Sequence, residues 1–327
     1  MKKYQAVGIG NAIVDVISPA SDAFLSDKGI DKGIMQLVDE ARGVALYDAM
    51  SDRKQAAGGS VANTLAGLGE LGLRTAFIGR VKDDELGRFY AQAMTEGGAD
   101  FPNAPVAGGE LPTSRSMIFV SPDGERSMNT YLGISSELGP DDVSDDVAGN
   151  TEVLFIEGYL YDKDQGMRAI ERAAHLCRDA GGKAGVSLSD PFCVDRHRDA
   201  FRRLVKELDF VIGNEHEWAA LYQCDLAEAL DIAAKEIPLI ACTQSGKDVL
   251  IRRGDELVSA PVTAVVPVDA TGAGDQFAAG FIYGLVTGRD LKTAGRMGCV
   301  AAAEVIGHYG ARPETEVKAL FAENGLL

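Results

Sequence analysis

Histidine is scarce in this sequence, and long apolar runs are absent from it. The chain of 327 residues has four histidines, none in HxH or HExxH spacing, so a zinc site is not expected. No stretch approaches roughly 18 uninterrupted apolar residues, which excludes a membrane-spanning helix. The first residues carry two lysines before a short apolar run broken by glycine, a pattern that does not match a signal peptide.

Cysteines are few and scattered. They are odd in number and form no CxxC pair: Cys177, Cys193, Cys224, Cys242 and Cys299. Isolated thiols of this kind are typical of a reduced, cytosolic enzyme rather than of a disulfide framework. We therefore expect a cytoplasmic protein.

Positive charge is also in short supply. Lys+Arg total 32 against Asp+Glu 49, which gives a formal net charge of -17. A field of that sign repels nucleic acid and anionic membranes, so we expect neither as a partner. Small phosphate ligands remain compatible, because backbone N–H groups can hold an anion locally. We expect small-molecule partners and a monomer or homodimer.

Two well-known phosphate-binding motifs are missing. No GxxxxGK[ST] occurs, so the chain is not a P-loop enzyme. Gly8-Ile9-Gly10 opens like a dinucleotide fingerprint, but Ile13 stands at the third glycine position. This weakens the hypothesis of a nucleotide-dependent oxidoreductase. That hypothesis stays as an alternative, as does a nucleoside-binding regulator without catalysis.

Strands and helices alternate along most of the chain, which is typical of a parallel sheet. Predicted strands lie at 6–10, 75–78, 153–156, 184–187, 210–213, 239–243 and 248–252. Predicted helices lie at 60–71, 84–96, 165–179, 197–207, 215–222 and 226–235. We predict one α/β domain over residues 1–327, doubly wound, with a mostly parallel sheet and helices on both faces. Ser60 is the predicted N-cap of its helix.

Residues 104–132 interrupt this alternation. They contain two β-runs, 113–120 and 126–131, joined by the turn sequence Ser-Pro-Asp-Gly at 121–124. A hairpin inserted into an α/β pattern predicts a small β-lid over the site.

The most specific motif lies at 268–285, where Gly272 and Gly274 precede a helix. Glycines let successive N–H groups converge, and the positive end of the helix points at the same place. A carboxylate beside an anion site is electrostatically unfavourable. It has a use there if it takes a proton from an alcohol that attacks a phosphoryl group. Asp275 fits that role; the alternative is a glycine turn whose Asp caps the helix. Small residues farther along this helix, at 280 and 284, predict close packing on a sheet.

Several other residues carry weaker signals. Two glycines open the stretch 58–72, where the amide of Asn63 can bind a hydroxyl; a plain strand–helix turn is the alternative. Asp15, in an apolar run, is either a solvated strand end or a buried acceptor for a diol. Asn214 and Glu217 follow a strand and open a helix, where ordinary capping is the alternative.

The chain resembles the ribokinase, or PfkB, family of carbohydrate and nucleoside kinases over nearly its whole length. Residues 58–63 are similar to the family's first signature and 269–275 to its second, and 214–217 match its Asn-x-x-Glu element. The resemblance implies an ATP-dependent kinase that phosphorylates a hydroxymethyl group. It also implies a ribokinase-like fold, with a lid built from strands near 12–18, 33–39 and 104–132.

The resemblance further implies roles for individual residues. Asp275 matches the catalytic base, and the anion hole matches the backbone of Gly272, Ala273 and Gly274. Substrate contacts are implied for Asn11, Asp15, Gly59, Ser60 and Asn63. ATP contacts are implied for Asn214, Thr243, Gly246 and Cys299. Glu217 is the implied metal ligand. The cofactors are ATP and Mg²⁺, with a monovalent cation such as K⁺ left open.

Substrate choice depends on finer detail. The stretches 10–15, 58–63, 127–132 and 190–192 look like adenosine kinases rather than ribokinases, which usually carry lysine where Ser60 stands. In that branch apolar and aromatic residues sandwich a base. Met128, Tyr159 and Phe192 are the candidates here, unless they belong to the core. We expect a nucleoside, adenosine first; the alternative is a sugar kinase acting on ribose, fructose or a keto-sugar acid.

Overall fold

The computed structural model describes residues 2–327, and strands and helices alternate through most of them. The strands of the described part, β1 to β14 in chain order, are Tyr4–Ile9, Ile13–Pro19, Met35–Leu37, Lys54–Gly58, Thr75–Ile78, Ala99–Asp100, Ser114–Val120, Arg126–Tyr131, Thr151–Glu157, Lys183–Ser187, Phe210–Asn214, Ile240–Gln244, Lys247–Arg253 and Glu256–Ala260. Its α-helices, α1 to α13, are Asp22–Asp27, Glu40–Ala49, Ser60–Glu70, Glu85–Glu96, Asp145–Ala148, Asp164–Asp179, Pro191–Arg196, Arg198–Leu204, Glu215–Tyr222, Leu226–Glu236, Ala273–Val286, Leu291–Ile306 and Val317–Glu323. None of these helices combines the length and apolar character that crossing a membrane would require.

The large sheet has nine strands in the order β14-β13-β12-β11-β10-β9-β1-β5-β6. All neighbours are parallel except β12–β13 and β13–β14, which are antiparallel. Along the central strands, alternate side chains point into two cores: Ala6 and Phe77 into one, Val7 and Ile78 into the other. Helices therefore cover both faces, and the predicted doubly wound, mostly parallel sheet is confirmed.

The second sheet has five strands in the order β3-β8-β7-β2-β4. Strands β7 and β8 form the predicted hairpin, and Gly124 in its turn has a φ of 87°. In β2, buried and partly exposed residues alternate, as expected of a sheet with one covered face. Helix α2 packs on β7 and β8. Strand β4 was not predicted as part of this lid.

Two local predictions are wrong. Ser60 is not the N-cap of α3; Gly59 is, with a φ of 100°, and a Cβ there would lie 2.4 Å from the Asn11 carbonyl oxygen. Ser60 is instead the first residue of the helix, and its hydroxyl donates a hydrogen bond to Asp275 rather than capping the helix. Gly280 packs on a helix rather than on a sheet, since a Cβ there would lie 2.4 Å from the carbonyl oxygen of Met297 in α12.

Candidate active site

The order of the large sheet reverses at β1, which lies between β9 on one side and β5 on the other. Ligands of open α/β sheets bind outside the carboxyl ends of the strands at such a switch point. A cavity of about 640 Å³ lies there, between the sheet and the lid. The predicted site residues that line it are Asn11, Asp15, Gly59, Ser60, Met128, Tyr159, Phe192, Asn214, Glu217, Thr243, Gly272, Gly274 and Asp275.

Asp275 lies in the first turn of α11, and both of its carboxylate oxygens accept hydrogen bonds from α3. Ser60 Oγ donates to Oδ1 at 2.6 Å, and Asn63 Nδ2 donates to Oδ2 at 3.0 Å. Thr64 Oγ1 donates to the Asp275 carbonyl oxygen at 3.0 Å. Burial raises the pKa of Asp275 to about 6, although the bonds from Ser60 and Asn63 lower it. The side chain is thus fixed in place and is a better proton acceptor than an exposed carboxylate.

The turn before α11 presents free N–H groups to the cavity. Gly272, the N-cap, has a φ of 80° and carries no side-chain cap. Among the hydrogen bonds of the described residues, the N–H groups of Gly272, Gly274 and Asp275 have no acceptor, whereas Ala273 N donates to the Ala270 carbonyl oxygen at 3.2 Å. A Cβ on Gly274 would meet nothing within 4 Å. The open N–H groups and the helix dipole suit an anion.

Asp15 reaches the cavity from lid strand β2 and lies against Gly58, where a Cβ would be 2.4 Å from Asp15 Oδ2. Burial raises its pKa to about 7; Arg312 and Arg126 oppose this shift, and Asp275 adds to it. Within residues 2–327 its carboxylate receives no hydrogen bond, so it is available to hydroxyls of a ligand.

Asn11 is held by hydrogen bonds to Glu157 and Ser135. The sequence analysis did not identify Glu157. Glu157 Oε1, at the end of β9, accepts from Asn11 N at 3.1 Å and from Asn11 Nδ2 at 2.7 Å. Asn11 Oδ1 accepts from Ser135 Oγ at 3.1 Å. The signal in the sequence is an acid that directly follows the apolar run 153–156 at the end of the strand Thr151–Glu157.

One wall of the cavity is apolar. Met35, Leu37 and Met128 line it from the lid, and Met35 pairs with Met128 across β3 and β8. Tyr159, in the short 3-10 helix that follows β9, and Phe192, in α7, also line it. Phe192 is 76% exposed, so it lies outside the core and at the mouth of the cavity.

A polar wall lies at the ends of β11 and β12, where Asn214 and Thr243 are neighbours across the sheet. Glu217 Oε2 accepts from Asn214 N at 2.8 Å and Oε1 accepts from Asn214 Nδ2 at 2.7 Å, which closes a capping box on α9. Gly246 lies in the turn between β12 and β13, with a φ of 90°, outside the lining of this cavity. Cys299 is buried on α12, with Sγ 4.0 Å from the Ala260 carbonyl oxygen, and is also outside the lining.

The polar wall provides one carboxylate for a metal ion, that of Glu217. Among the described residues, no three His, Cys, Asp or Glu side chains are grouped closely enough to hold a metal by themselves. Burial raises the pKa of Glu217 to about 7, so a nearby cation would favour its charged form. Mg²⁺ commonly uses one or two carboxylates, several waters and the phosphates of its substrate. Glu217 fits that mode of binding.

Comparison with known proteins gives the family of the chain. Residues 31–318 match the model of the pfkB family of carbohydrate kinases. The chain belongs to this family. Kinases of the family phosphorylate alcohol groups and use ATP, typically with Mg²⁺. The chain is therefore a kinase whose acceptor is an alcohol.

Relatives within the pfkB family differ in their named substrates. The chain is 41% identical to a probable sugar kinase from Rhizobium etli CFN 42, with a TM-score of 0.92 over 100% of both chains. It is 42% identical to an adenosine kinase from Sinorhizobium meliloti, with a TM-score of 0.90 over 98% of this chain and 99% of that one. It is 28% identical to a 5-dehydro-2-deoxygluconokinase from Geobacillus thermodenitrificans, over 77% of this chain and 79% of the relative.

Proposed function

We propose that this kinase transfers the γ-phosphate of ATP to the hydroxymethyl group of a nucleoside, with adenosine as the preferred acceptor and Asp275 as the general base. The single observation that carries the proposal is the placement of Asp275. Its carboxylate is held by Ser60 and Asn63 beside the free N–H groups that open α11.

The proposed reaction follows from that placement. Asp275 takes the proton of the acceptor hydroxyl while the hydroxyl oxygen forms a bond to the γ-phosphorus of ATP. The bond between that phosphorus and the oxygen bridging to the β-phosphate breaks, which releases ADP. The N–H groups of Gly272 and Gly274 stabilise negative charge on the transferred group. Asp15 accepts from sugar hydroxyls and so orients the acceptor.

The remaining ATP contacts are proposed at the polar wall. Asn214 and Thr243 face the phosphates from the ends of β11 and β12. Glu217 would hold Mg²⁺, which neutralises phosphate charge when bound. Residues of the lid cover the cavity and exclude water, which otherwise competes with the acceptor for the phosphoryl group.

A nucleoside is favoured over a bare sugar by the apolar wall. Met35, Leu37 and Met128 line the cavity from the lid, and Tyr159 lines it from the segment after β9. A purine would cover this surface, whereas a free sugar would leave it wet. Stacking of a base on an aromatic ring is worth roughly 1–3 kcal/mol. Adenosine is also the named substrate of the Sinorhizobium meliloti relative at 42% identity, beside a probable sugar kinase at 41%.

A sugar kinase is the second candidate. The 5-dehydro-2-deoxygluconokinase relative acts on a keto-sugar acid by its name. The observation in its favour is a cation at the cavity: Arg196 belongs to the lining, is half-exposed and pairs with Asp162 at 3.1 Å, and it could exchange that partner for a carboxylate of the substrate.

ADP formation across a panel of adenosine, guanosine, ribose, fructose and a keto-sugar acid, with and without Mg²⁺, tests both candidates. We expect adenosine to have the highest kcat/KM. D275N removes the base and should lower kcat by about 10²–10⁴-fold without loss of adenosine binding. A D275N enzyme with near wild-type kcat would refute the assignment of the base. A sugar that outperforms every nucleoside would select the second candidate.

A further inference from the structure

Glu157 is a buried carboxylate that the proposed reaction does not use. It ends β9, next to β1 at the switch point of the large sheet, and its side chain is 1% exposed. Three N–H groups donate to it: Asn11 N and Nδ2 to Oε1, and Val61 N to Oε2 at 3.2 Å. Gly10 permits this approach, since a Cβ there would lie 2.5 Å from Glu157 Oε2.

The partners of Glu157 lie where the chain passes between the main sheet and the lid. Asn11 is in the link from β1 to β2, by which the chain enters the lid. Val61 is the second residue of α3, directly after β4 returns from the lid. Ser135 follows β8, and its hydroxyl donates to Asn11 Oδ1 at 3.1 Å. Three crossings between the two sheets are thus joined to one carboxylate.

Helix α3 extends this network to the base. Val61, which donates to Glu157, lies between Ser60 and Asn63, which donate to the two oxygens of Asp275. A shift of the first turn of α3 would therefore move both donors away from Asp275. Misplacement of reacting groups by about 1 Å can cost on the order of 10²-fold in rate.

We propose that Glu157, which also belongs to the lining of the cavity, is a positioning residue: it fixes the first turn of α3 against Asp275 and holds the links between the main sheet and the lid. This inference rests on the proposed role of Asp275 as the base. Burial raises the pKa of Glu157 to about 7, against the opposing effect of the bonds from Asn11 and Val61 and with a further increase from Asp275. Burying a carboxylate costs free energy, and the hydrogen bonds that Glu157 accepts from Asn11 and Val61 account for its presence here.

E157Q tests the proposal with almost no change in volume. Glutamine keeps one carbonyl oxygen, but its NH₂ group would face a backbone N–H in place of an acceptor. We expect kcat to fall at least about tenfold, with KM for the acceptor changed less than about twofold. Loss of the charge of Glu157 lowers the pKa of Asp275, whereas weaker bonds from Ser60 and Asn63 raise it, so the pH dependence of kcat/KM is measured in E157D, which keeps the charge. The charged groups in this region are Asp15 on β2, Arg126 on β8 and Arg312 beyond α12, and the substitution leaves all three in place.

E152Q is the matched control, because Glu152 lies on the same strand at its opposite end and is partly exposed. It should leave kcat and the acid limb unchanged. E157D keeps the charge and shortens the reach, so it carries the test if E157Q does not fold. Weaker bonds from Ser60 and Asn63 should then raise the pKa of Asp275 and move the acid limb of kcat/KM to higher pH, with a smaller loss of kcat than in E157Q. Folded Glu157 variants with wild-type kcat and acid limb would overturn the proposal, as would a raised acceptor KM at unchanged kcat. D275N in parallel separates the two hypotheses: an active D275N rejects the base, whatever Glu157 does.

Discussion

Arg126 of lid strand β8 forms an ion pair with Asp269, the first residue of the glycine-rich turn before α11. Arg126 Nε lies 3.1 Å from Asp269 Oδ2, and each side chain is 9% exposed. Asp269 Oδ1 also accepts from Thr271 N at 3.0 Å and Oγ1 at 2.7 Å, and Oδ2 accepts from Gly310 N at 3.1 Å. One carboxylate thus connects the lid to the turn that presents the free N–H groups.

Loss of this ion pair should uncouple the lid from the site. In wild-type enzyme, hydrogen exchange in the hairpin 114–131 should slow when acceptor is added, because a closed lid is held by ligand. In R126Q we expect faster exchange in the hairpin and a smaller change on adding acceptor. R88Q, which breaks an exposed ion pair between Arg88 and Asp83, is the control. Equal exchange in R126Q and wild type would show that the pair does not hold the lid.

The pH dependence of the reaction should report Asp275. Its pKa is raised to about 6, and the base must be unprotonated to accept the hydroxyl proton. Activity should therefore fall as pH drops through about 6, by roughly tenfold per pH unit below it. The bond from Asn63 lowers this pKa, so N63A should shift the acid limb of kcat/KM to higher pH. A limb that stays at the wild-type pH in N63A would contradict this assignment.

The sequence allowed the chemistry of the turn and the sheet to be predicted because both are local. The glycines and Asp275 lie within four residues of one another, and strand–helix alternation is read over short windows. Hydrogen bonds across long sequence separations were out of reach. The Ser60 hydroxyl, predicted as a helix cap, bonds to Asp275 over a separation of 215 residues. The role of Glu157 depends on partners 96 and 146 residues away.

Strand β4 illustrates a second limit. Its sequence, KQAAG, has neither β-branched nor aromatic residues, so it carries no β-propensity. It is a strand because its backbone pairs antiparallel with β2, from Ile13–Gly58 to Ile17–Lys54. Tertiary pairing outweighs propensity there, which local patterns cannot predict.

Asp15 should lower the free energy of unfolding, although it contributes to substrate binding. Burial raises its pKa from the ordinary value of 3.8 to about 7, so ionisation of the folded state costs free energy. The stability linked to its neutral form is present below about pH 4 and is lost as pH rises to about 7. D15N cannot ionise, so its advantage in Tm over wild type should grow between pH 5 and pH 8, by on the order of 2 °C per kcal/mol.

Thermal melts at both pH values measure this difference, with D255N as control because Asp255 is exposed on the turn between β13 and β14. D15N should also raise KM for the acceptor, since an acceptor of its hydroxyl bonds is lost. A Tm difference that is the same at pH 5 and pH 8 would show that Asp15 does not titrate with folding.

Tyr159 should distinguish a nucleoside from a free sugar. It lines the cavity just after β9, and the lid residues Met35 and Met128 belong to the same lining. A purine placed between them gains stacking, and a gain of ~2 kcal/mol corresponds to about thirtyfold in affinity. Y159A should therefore weaken adenosine binding by that order while leaving any weak ribose binding almost unchanged. Y159F keeps the ring and loses only a hydroxyl whose bond to the Ser189 carbonyl oxygen is long, at 3.4 Å, so it should bind adenosine like wild type. Isothermal titration of adenosine and ribose against the three proteins measures these affinities. Equal losses for both ligands in Y159A would mean that the ring supports the fold of the site rather than a base.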